Sequence, residues 1–205
     1  MSKAFLTMII LAALLLSGCQ KAPTEQLSAA QKALEGARAA EADKYAVDEL
    51  SQAQKSFDDA SAEVTAQSNK FFLTRNYSKA DQLLKAAQDR AQAAQTVAPD
   101  NKEKVKREVE SLTTETDTAI KTAKTALLKA PRGKDTRAEL ESMKADLDAT
   151  TTALAEARDM YTKGDYVGAK ASLTRGKQKA EEVSGEVELA MQKVKGGAKR
   201  PSPVH

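Results

Sequence analysis

Apolar residues recur every three or four positions along most of this chain, which is the spacing of an amphipathic α-helix. No stretch shows the strict alternation of apolar and polar residues that is typical of a strand. The pattern therefore predicts an all-α fold with about six helices. They are expected at 25–43, 47–73, 78–97, 101–129, 136–162 and 166–194. Their narrow apolar stripes favour long antiparallel hairpins with coiled-coil-like seams.

Proline positions support this division. The five prolines all fall between the expected helices, at Pro23, Pro99, Pro131, Pro201 and Pro203. Because proline lacks an amide hydrogen and disrupts a helix interior, a helix is expected to end before Pro99. Asp100 and Glu103 have capping-box spacing, so a new helix is expected to begin directly after it.

An internal repeat relates two parts of the chain. Residues 72–92 align with residues 160–181, and the match pairs Tyr77 with Tyr166 and Leu84 with Leu173. The sequence therefore predicts two copies of one helical hairpin, in which residues 132–195 repeat 47–97.

The two expected turns contain Asn76, or Gly164 with Asp165, which are residue types that end one helix and cap the next. An aromatic residue follows, and an alanine comes three residues later. This pattern resembles the turn within tetratricopeptide-type helix pairs, although the helices here are about twice as long.

Aromatic residues cluster at these turns, and they are the candidate partner-contact residues: Phe71, Phe72, Tyr77, Tyr161 and Tyr166. One interpretation is that they pack inside and close the ends of the hairpins. The other is that they are exposed and form a docking surface.

Composition narrows the possible functions. The chain has eight Tyr and Phe residues in total, no Trp, and a net charge of +3 from 32 basic and 29 acidic residues. Acidic and basic residues alternate along the chain, so a nucleic-acid partner is not expected. The many alanines bury little area each, and close helix packing must replace a bulky core.

The N-terminus has the layout of a secretory signal peptide. Lys3 precedes an apolar run, Ala4–Leu16, that is shorter than the ~20 residues of a membrane-spanning helix. Leu16, Ser17, Gly18 and Cys19 resemble the lipobox of bacterial lipoproteins. That resemblance implies cleavage before Cys19 and a diacylglyceryl and N-acyl lipid, such as palmitate, on Cys19 itself. The alternatives, a buried thiol or a metal ligand, are less favoured because the one histidine is His205.

A second resemblance covers residues 45–67, "YAVDELSQAQKSFDDASAEVTAQ", and 76–91, "NYSKADQLLKAAQDRA". Together with the lipobox they resemble a family of bacterial envelope lipoproteins that carry a short helical domain of unknown function. Val47 stands where proline is common in that family. The resemblance implies an anchored, all-helical periplasmic domain and no established reaction.

The expected organisation combines these signals. It is a signal peptide at 1–18, a lipidated tether at 19–24, a helical domain with the first hairpin at 25–98, a connecting helix at 99–131, the second hairpin at 132–195 and a disordered tail at 196–205.

Catalytic chemistry is poorly represented. The chain has no interior histidine and no Gly-rich phosphate loop, so carboxylates such as Asp58 and Asp59 are the remaining acid–base candidates. Adjacent helical positions point about 100° apart, which separates these two carboxylates. We therefore expect no enzyme activity, no metal and no cofactor apart from the covalent lipid on Cys19.

These expectations lead to a non-catalytic, lipid-anchored envelope scaffold or spacer. The alternative is a helical-repeat module that binds a peptide, a protein or peptidoglycan. Gln20 after the lipobox resembles lipoproteins sorted to the outer membrane, facing the periplasm, with the inner membrane as the other possible site. The sequence leaves the oligomeric state open.

Overall fold

A computed structural model describes residues 21–131 and 136–197 of the chain. These residues form six α-helices and one 3-10 helix and contain no strand, so the predicted all-α fold with long antiparallel helices is confirmed. The helices are α1 (Thr24–Ala39), α2 (Ala42–Tyr45), α3 (Val47–Ser68), α4 (Ser78–Lys129), α5 (Arg137–Thr162) and α6 (Tyr166–Gly197), with the 3-10 helix at Phe72–Thr74. The predictions for the signal peptide, for Cys19 and Gln20, for residues 132–135 and for residues 198–205 lie outside the described residues.

Two compact units divide the chain: the first ends at Asn101 and the second begins at Lys102. The boundary falls inside α4, so the first part of this helix belongs to the first unit and its remainder to the second.

The prediction that Pro99 separates two helices is wrong. Pro99 lies inside α4, which continues through it to Lys129. The proline ring is exposed, whereas Ala94 and Ala98 in the preceding turns of the helix are fully buried. The Asn101 side chain also donates a hydrogen bond of 2.7 Å to the Tyr45 carbonyl. Tertiary packing therefore holds the helix together where the local sequence favours a break.

The first helix also differs from expectation, because α1 ends at Ala39 rather than near residue 43. Glu41 has a φ of 59°, in the left-handed region that non-glycine residues seldom adopt. The turn allows Ala42 and Tyr45 of the short helix α2 to enter the core. Burial of these two side chains compensates for the unfavourable backbone conformation at Glu41.

The first unit packs three helices around small side chains. Ala30 of α1, Ala60 of α3 and Ala87 of α4 form a fully buried layer with Leu84. Alanine side chains at this layer allow the three helix backbones to approach closely.

The direction of α1 follows from contacts along its length. In its first half, Ala30 lies in one buried cluster with Ala60 of α3. Near its end, Arg38 donates a hydrogen bond of 2.6 Å to Gln54. Since residue numbers rise along α1 while they fall along α3, these helices are antiparallel. The start of α1 therefore lies at the end of the unit where α3 finishes.

The second unit has the same arrangement. Lys170 and Lys177 of α6 pair with Glu108 and Glu115 of α4 at 2.5 and 2.6 Å, so these two helices run parallel. Lys124 of α4 donates to Thr151 of α5 at 3.0 Å, and the α5–α6 hairpin reverses direction. In both units one helix therefore runs antiparallel to the two others.

Residues at matching repeat positions occupy the cores of both units. Leu84 and Leu173 are each 1% exposed. The matching alanines on either side of them are fully buried, namely Ala80 with Ala169 and Ala91 with Ala180. The layer that corresponds to Ala30, Ala60 and Ala87 consists of Thr116, Thr150 and Gly176. Here the buried Thr116 hydroxyl donates to the Leu173 carbonyl at 3.2 Å, which satisfies its polar group.

Two glycine substitutions should have opposite effects on stability. A Cβ at Gly176 would lie 3.4 Å from Thr150 Cγ2 and 3.5 Å from Thr116 Cγ2, which is ordinary contact. Gly176→Ala should therefore stabilise α6 by about 0.5–1 kcal/mol, because alanine favours the helix. Gly164 has a φ of +81°, so Gly164→Ala should destabilise the unit by about 1 kcal/mol. Urea denaturation followed by circular dichroism measures the free energy of unfolding of both variants. Two changes of the same sign would contradict the different roles given to Gly176 and Gly164.

Candidate functional site

The first hairpin turn exposes three large apolar side chains. Between α3 and α4 the chain forms the short 3-10 helix, and Phe71, Phe72 and Leu73 are 64, 49 and 61% exposed. The two phenylalanine rings lie 4.7 Å apart, centre to centre. We call these three residues the apolar tip. Contiguous exposed apolar residues of this kind are typical of contact surfaces.

Polar side chains behind the apolar tip fix the course of the turn. Arg75 donates hydrogen bonds to the Ser68 carbonyl at 2.8 Å and to the Lys70 carbonyl at 3.0 Å, which caps the end of α3. The buried Gln67 side chain accepts a hydrogen bond of 3.1 Å from the Asn76 amide. Because these bonds hold both ends of the turn, the tip is displayed on an ordered base.

Tyr77 lies on the opposite side of this turn, in the core. It is 2% exposed, and its hydroxyl is 3.2 Å from the Ser68 hydroxyl. Asn76 begins α4 by accepting a hydrogen bond of 2.9 Å from the Ser78 amide. Tyr77 thus closes the hairpin end, while Phe71 and Phe72 point outward.

The border of the apolar tip is positively charged. Lys70, Arg75 and Lys79 are the charged residues between Glu63 and Asp81. Lys79 pairs with Glu63 at 3.0 Å. A hydrogen bond from Gln67 and the pairing with Lys79 hold the pKa of Glu63 below its usual value. The positive charges of Lys70 and Arg75 remain beside the tip.

The second hairpin turn is tighter. The amide of Gly164 donates to the Tyr161 carbonyl at 3.0 Å, and that of Asp165 donates to the Met160 carbonyl at 2.9 Å, which is the Schellman pattern. The Asp165 carboxylate then accepts a hydrogen bond of 3.0 Å from the Gly168 amide and caps α6.

Aromatic residues at the second turn are half-buried. The rings of Tyr161 and Tyr166 lie 5.2 Å apart, and the Tyr161 hydroxyl donates a hydrogen bond to Glu110 of α4. This carboxylate, followed by desolvation, raises the pKa of Tyr161 to about 12. Lys163 pairs with Asp159 at 2.6 Å, so its charge is compensated. The second turn presents no counterpart of the apolar tip.

The second unit has a groove between α4 and α6, which is shallow and open to solvent. Its lining includes Thr114, Thr118, Glu115 and Lys177. Hydrogen bonds from Lys177 and Ser111 hold the pKa of Glu115 below its usual value. A carboxylate in this state is a poor proton donor near neutral pH.

The adjacent carboxylates Asp58 and Asp59 do not converge on a shared site. Asp58 accepts a hydrogen bond of 2.9 Å from Gln54, and Asp59 pairs with Lys55 at 3.1 Å. Each of them interacts with the residue four positions earlier on α3, as expected for a solvated helix face.

Of the five candidate contact residues, the structure brings together Phe71 with Phe72 and Tyr161 with Tyr166, and it places Tyr77 in a core. Sequence reasoning missed Leu73, which completes the apolar tip. The signal was available, because Leu73 directly follows the two phenylalanines in a segment without acidic residues. It also missed Glu110, whose contact with Tyr161 spans distant parts of the chain.

Comparison with known proteins found no match: no protein-family model, no curated protein and no solved structure is similar to this chain. Among the described residues, no cluster of His, Cys, Asp and Glu is arranged to hold a metal ion. None of the helices there has both the length and the apolar character needed to cross a bilayer.

The contact between Tyr161 and Glu110 predicts an unusual titration. Because the folded pKa of about 12 lies above the ordinary value of 10, this contact stabilises the protein fully below pH 10 and loses its effect as pH rises through 12. Glu110→Gln should lower the Tyr161 pKa towards 10. The absorbance of tyrosinate measures it, with Tyr161→Phe to identify the signal.

Glu103→Gln is the matched control, because Glu103 acts on Tyr161 only through a weak long-range charge interaction. An equal shift in both glutamine variants would contradict a specific role for Glu110.

Proposed function

We propose that this protein is a non-catalytic, lipid-anchored helical scaffold or spacer of the bacterial cell envelope. The observation that carries the proposal is the short distance in sequence between the expected lipid attachment at Cys19 and the folded body. Helix α1 begins at Thr24, and Pro23 is already buried. A body that starts so close to an anchor would be held at the membrane surface.

The described surfaces favour a structural role over catalysis. The groove of the second unit is open to water, and its carboxylate Glu115 is held in the ionised form by Lys177. Acid–base catalysis usually depends on an enclosed site and on a pKa shifted towards neutrality. The charged groups of this groove instead form an ion pair between two helices, which is typical of a solvated helical surface.

Several features support an envelope location. The lipobox resemblance at residues 16–19 and the preceding leader indicate export, and Gln20 favours the periplasmic face of the outer membrane over the inner membrane. The expected partners are the membrane, through the lipid, and an envelope protein or peptidoglycan. The alternation of acidic and basic residues argues against a nucleic-acid partner.

A binding module is the second candidate, and the apolar tip is the observation that favours it. Exposed aromatic residues on an ordered turn are a common feature of contact sites. Tyr77 and Tyr166, which the repeat suggests as contact residues, are poor choices for testing this candidate, because Tyr77 lies in the core. Phe71→Ser with Phe72→Ser is the more informative variant.

Cys19→Ser tests the leading proposal. If Cys19 carries the lipid, this change removes the acceptor sulfur and should abolish both fatty-acid labelling and cleavage of the 18-residue leader. Mass spectrometry should find the uncleaved leader and no acyl chains. Helicity should be unchanged in circular dichroism, since no described helix depends on Cys19. A wild-type protein without attached lipid would overturn the anchor.

The second candidate predicts co-sedimentation with purified peptidoglycan sacculi. Wild type should sediment with the sacculi, and the double Phe71→Ser, Phe72→Ser variant should stay in solution while keeping its helicity. Leu189→Ser, at a residue 58% exposed on α6, is the control and should sediment like wild type. Equal sedimentation of all three proteins would argue against peptidoglycan recognition by the tip.

A further inference from the structure

We propose that the apolar tip is a second membrane contact, in which Phe71, Phe72 and Leu73 enter the interface of the bilayer that holds the lipid on Cys19. This inference rests on the proposed lipid attachment and adds to it a protein segment that touches the lipid. In this proposal the apolar tip contacts the surface of an anionic bilayer.

The first argument is placement within the first unit. Helix α1 is antiparallel to α3, since Ala30 lies in one buried cluster with Ala60 and Arg38 bonds to Gln54. Ala60 lies in the second half of α3, and Gln54 lies in its first half. Continuing this register towards the start of α1 brings Thr24 level with the end of α3, directly before the tip. The chain from the anchor therefore enters the unit at the same end that carries the tip.

The second argument is reach. Thr24 is five residues after Cys19, and five residues span at most about 17 Å when fully extended. A lipid on Cys19 would therefore hold the start of α1 within a short distance of the headgroups. Because the tip lies at this end of the unit, it would be held close to the same surface.

The third argument is chemical complementarity. Exposed Phe and Leu side chains favour the boundary between headgroups and acyl chains, whereas Lys and Arg favour anionic headgroups. Lys70 and Arg75 flank the apolar tip, and no acidic residue lies between Glu63 and Asp81. The guanidinium of Arg75 donates hydrogen bonds to two uncharged backbone carbonyls. These bonds do not neutralise its positive charge, which can still attract anionic headgroups. A surface of this kind matches an anionic bilayer.

The second turn shows that this exposure is not a requirement of the hairpin. At the repeat position matching Phe72, Tyr161 is half-buried and bonded to Glu110. Helix α5 continues to Thr162, whereas α3 ends at Ser68 and the following residues turn outward. The first copy thus ends its helix earlier and presents three apolar residues that the second copy does not.

A single tryptophan can test the contact, because the chain contains none. The full-length protein with Phe72→Trp is expressed with its native leader, purified in detergent and reconstituted into vesicles of phosphatidylethanolamine and phosphatidylglycerol. Emission of the introduced indole should shift to shorter wavelength, and brominated lipids should quench it. Leu189→Trp is the control, because Leu189 is similarly exposed but lies beside Glu188 on α6. Its emission should change little.

Charge variants in the Phe72→Trp background test the headgroup contribution. Lys70→Gln should lower the ratio of inserted to free tip about fivefold in anionic vesicles and leave it unchanged in neutral ones. Lys85→Gln removes the same charge from an exposed position farther along α4 and should have little effect. Equal effects of the two variants would contradict a contact at Lys70.

The outcomes for the Phe72→Trp protein separate this inference from the proposed function. If the protein is labelled by fatty acid but the indole at the tip stays unquenched and exposed to solvent, the tip contact is overturned and the anchor stays intact. Quenching of the indole by brominated lipid without labelling would overturn the shared anchor while retaining a lipid-binding tip. The indole could instead be protected from an aqueous quencher only when envelope proteins are added, with no quenching by brominated lipid. That result would overturn the bilayer contact and indicate a protein partner.

Discussion

Close packing of helices across alanine-sized side chains is the constraint on which the rest of this structure depends. Layers such as Ala30, Ala60 and Ala87 exclude water completely, but each alanine removes little apolar area from solvent. Stability must then accumulate over many layers, which requires long helices. The lengths of α3, α5 and α6, at 22, 26 and 32 residues, follow from this requirement. The remaining surface is available to charged residues.

The apolar tip is unusual because apolar residues otherwise lie mainly in buried layers and charged residues lie on the surface. Most of the other large apolar residues in the described part of the chain lie in the helix seams, where packing uses them. The tip lies beyond the end of α3, where no neighbouring helix of its unit covers it, and its base is stabilised by hydrogen bonds from Arg75 and to Gln67. Its exposure is therefore built into an ordered turn, which is the basis for assigning it a function.

Local patterns predicted the helices well, because every layer repeats the same 3.6-residue spacing. They failed where a distant contact decides the conformation. Pro99 remains in a helix because Ala94 and Ala98, which precede it, are buried, and Glu41 adopts a left-handed conformation because Ala42 and Tyr45 gain burial. Phe72 and Tyr77 could not be separated by sequence alone. Both are aromatic and close to one turn, and only the three-dimensional course of that turn places one outside and the other inside.

The proline inside α4 has a consequence for the local stability of that helix. Each turn of an α-helix is closed by a hydrogen bond from a backbone amide to the carbonyl four residues earlier. Pro99 supplies no amide hydrogen to the Gln95 carbonyl, and the junction between the two units follows only two residues after it. The ladder of backbone hydrogen bonds in α4 therefore lacks one bond at this point. The backbone between Gln95 and Pro99 should therefore open locally more readily than the rest of α4, at a place set by a single residue.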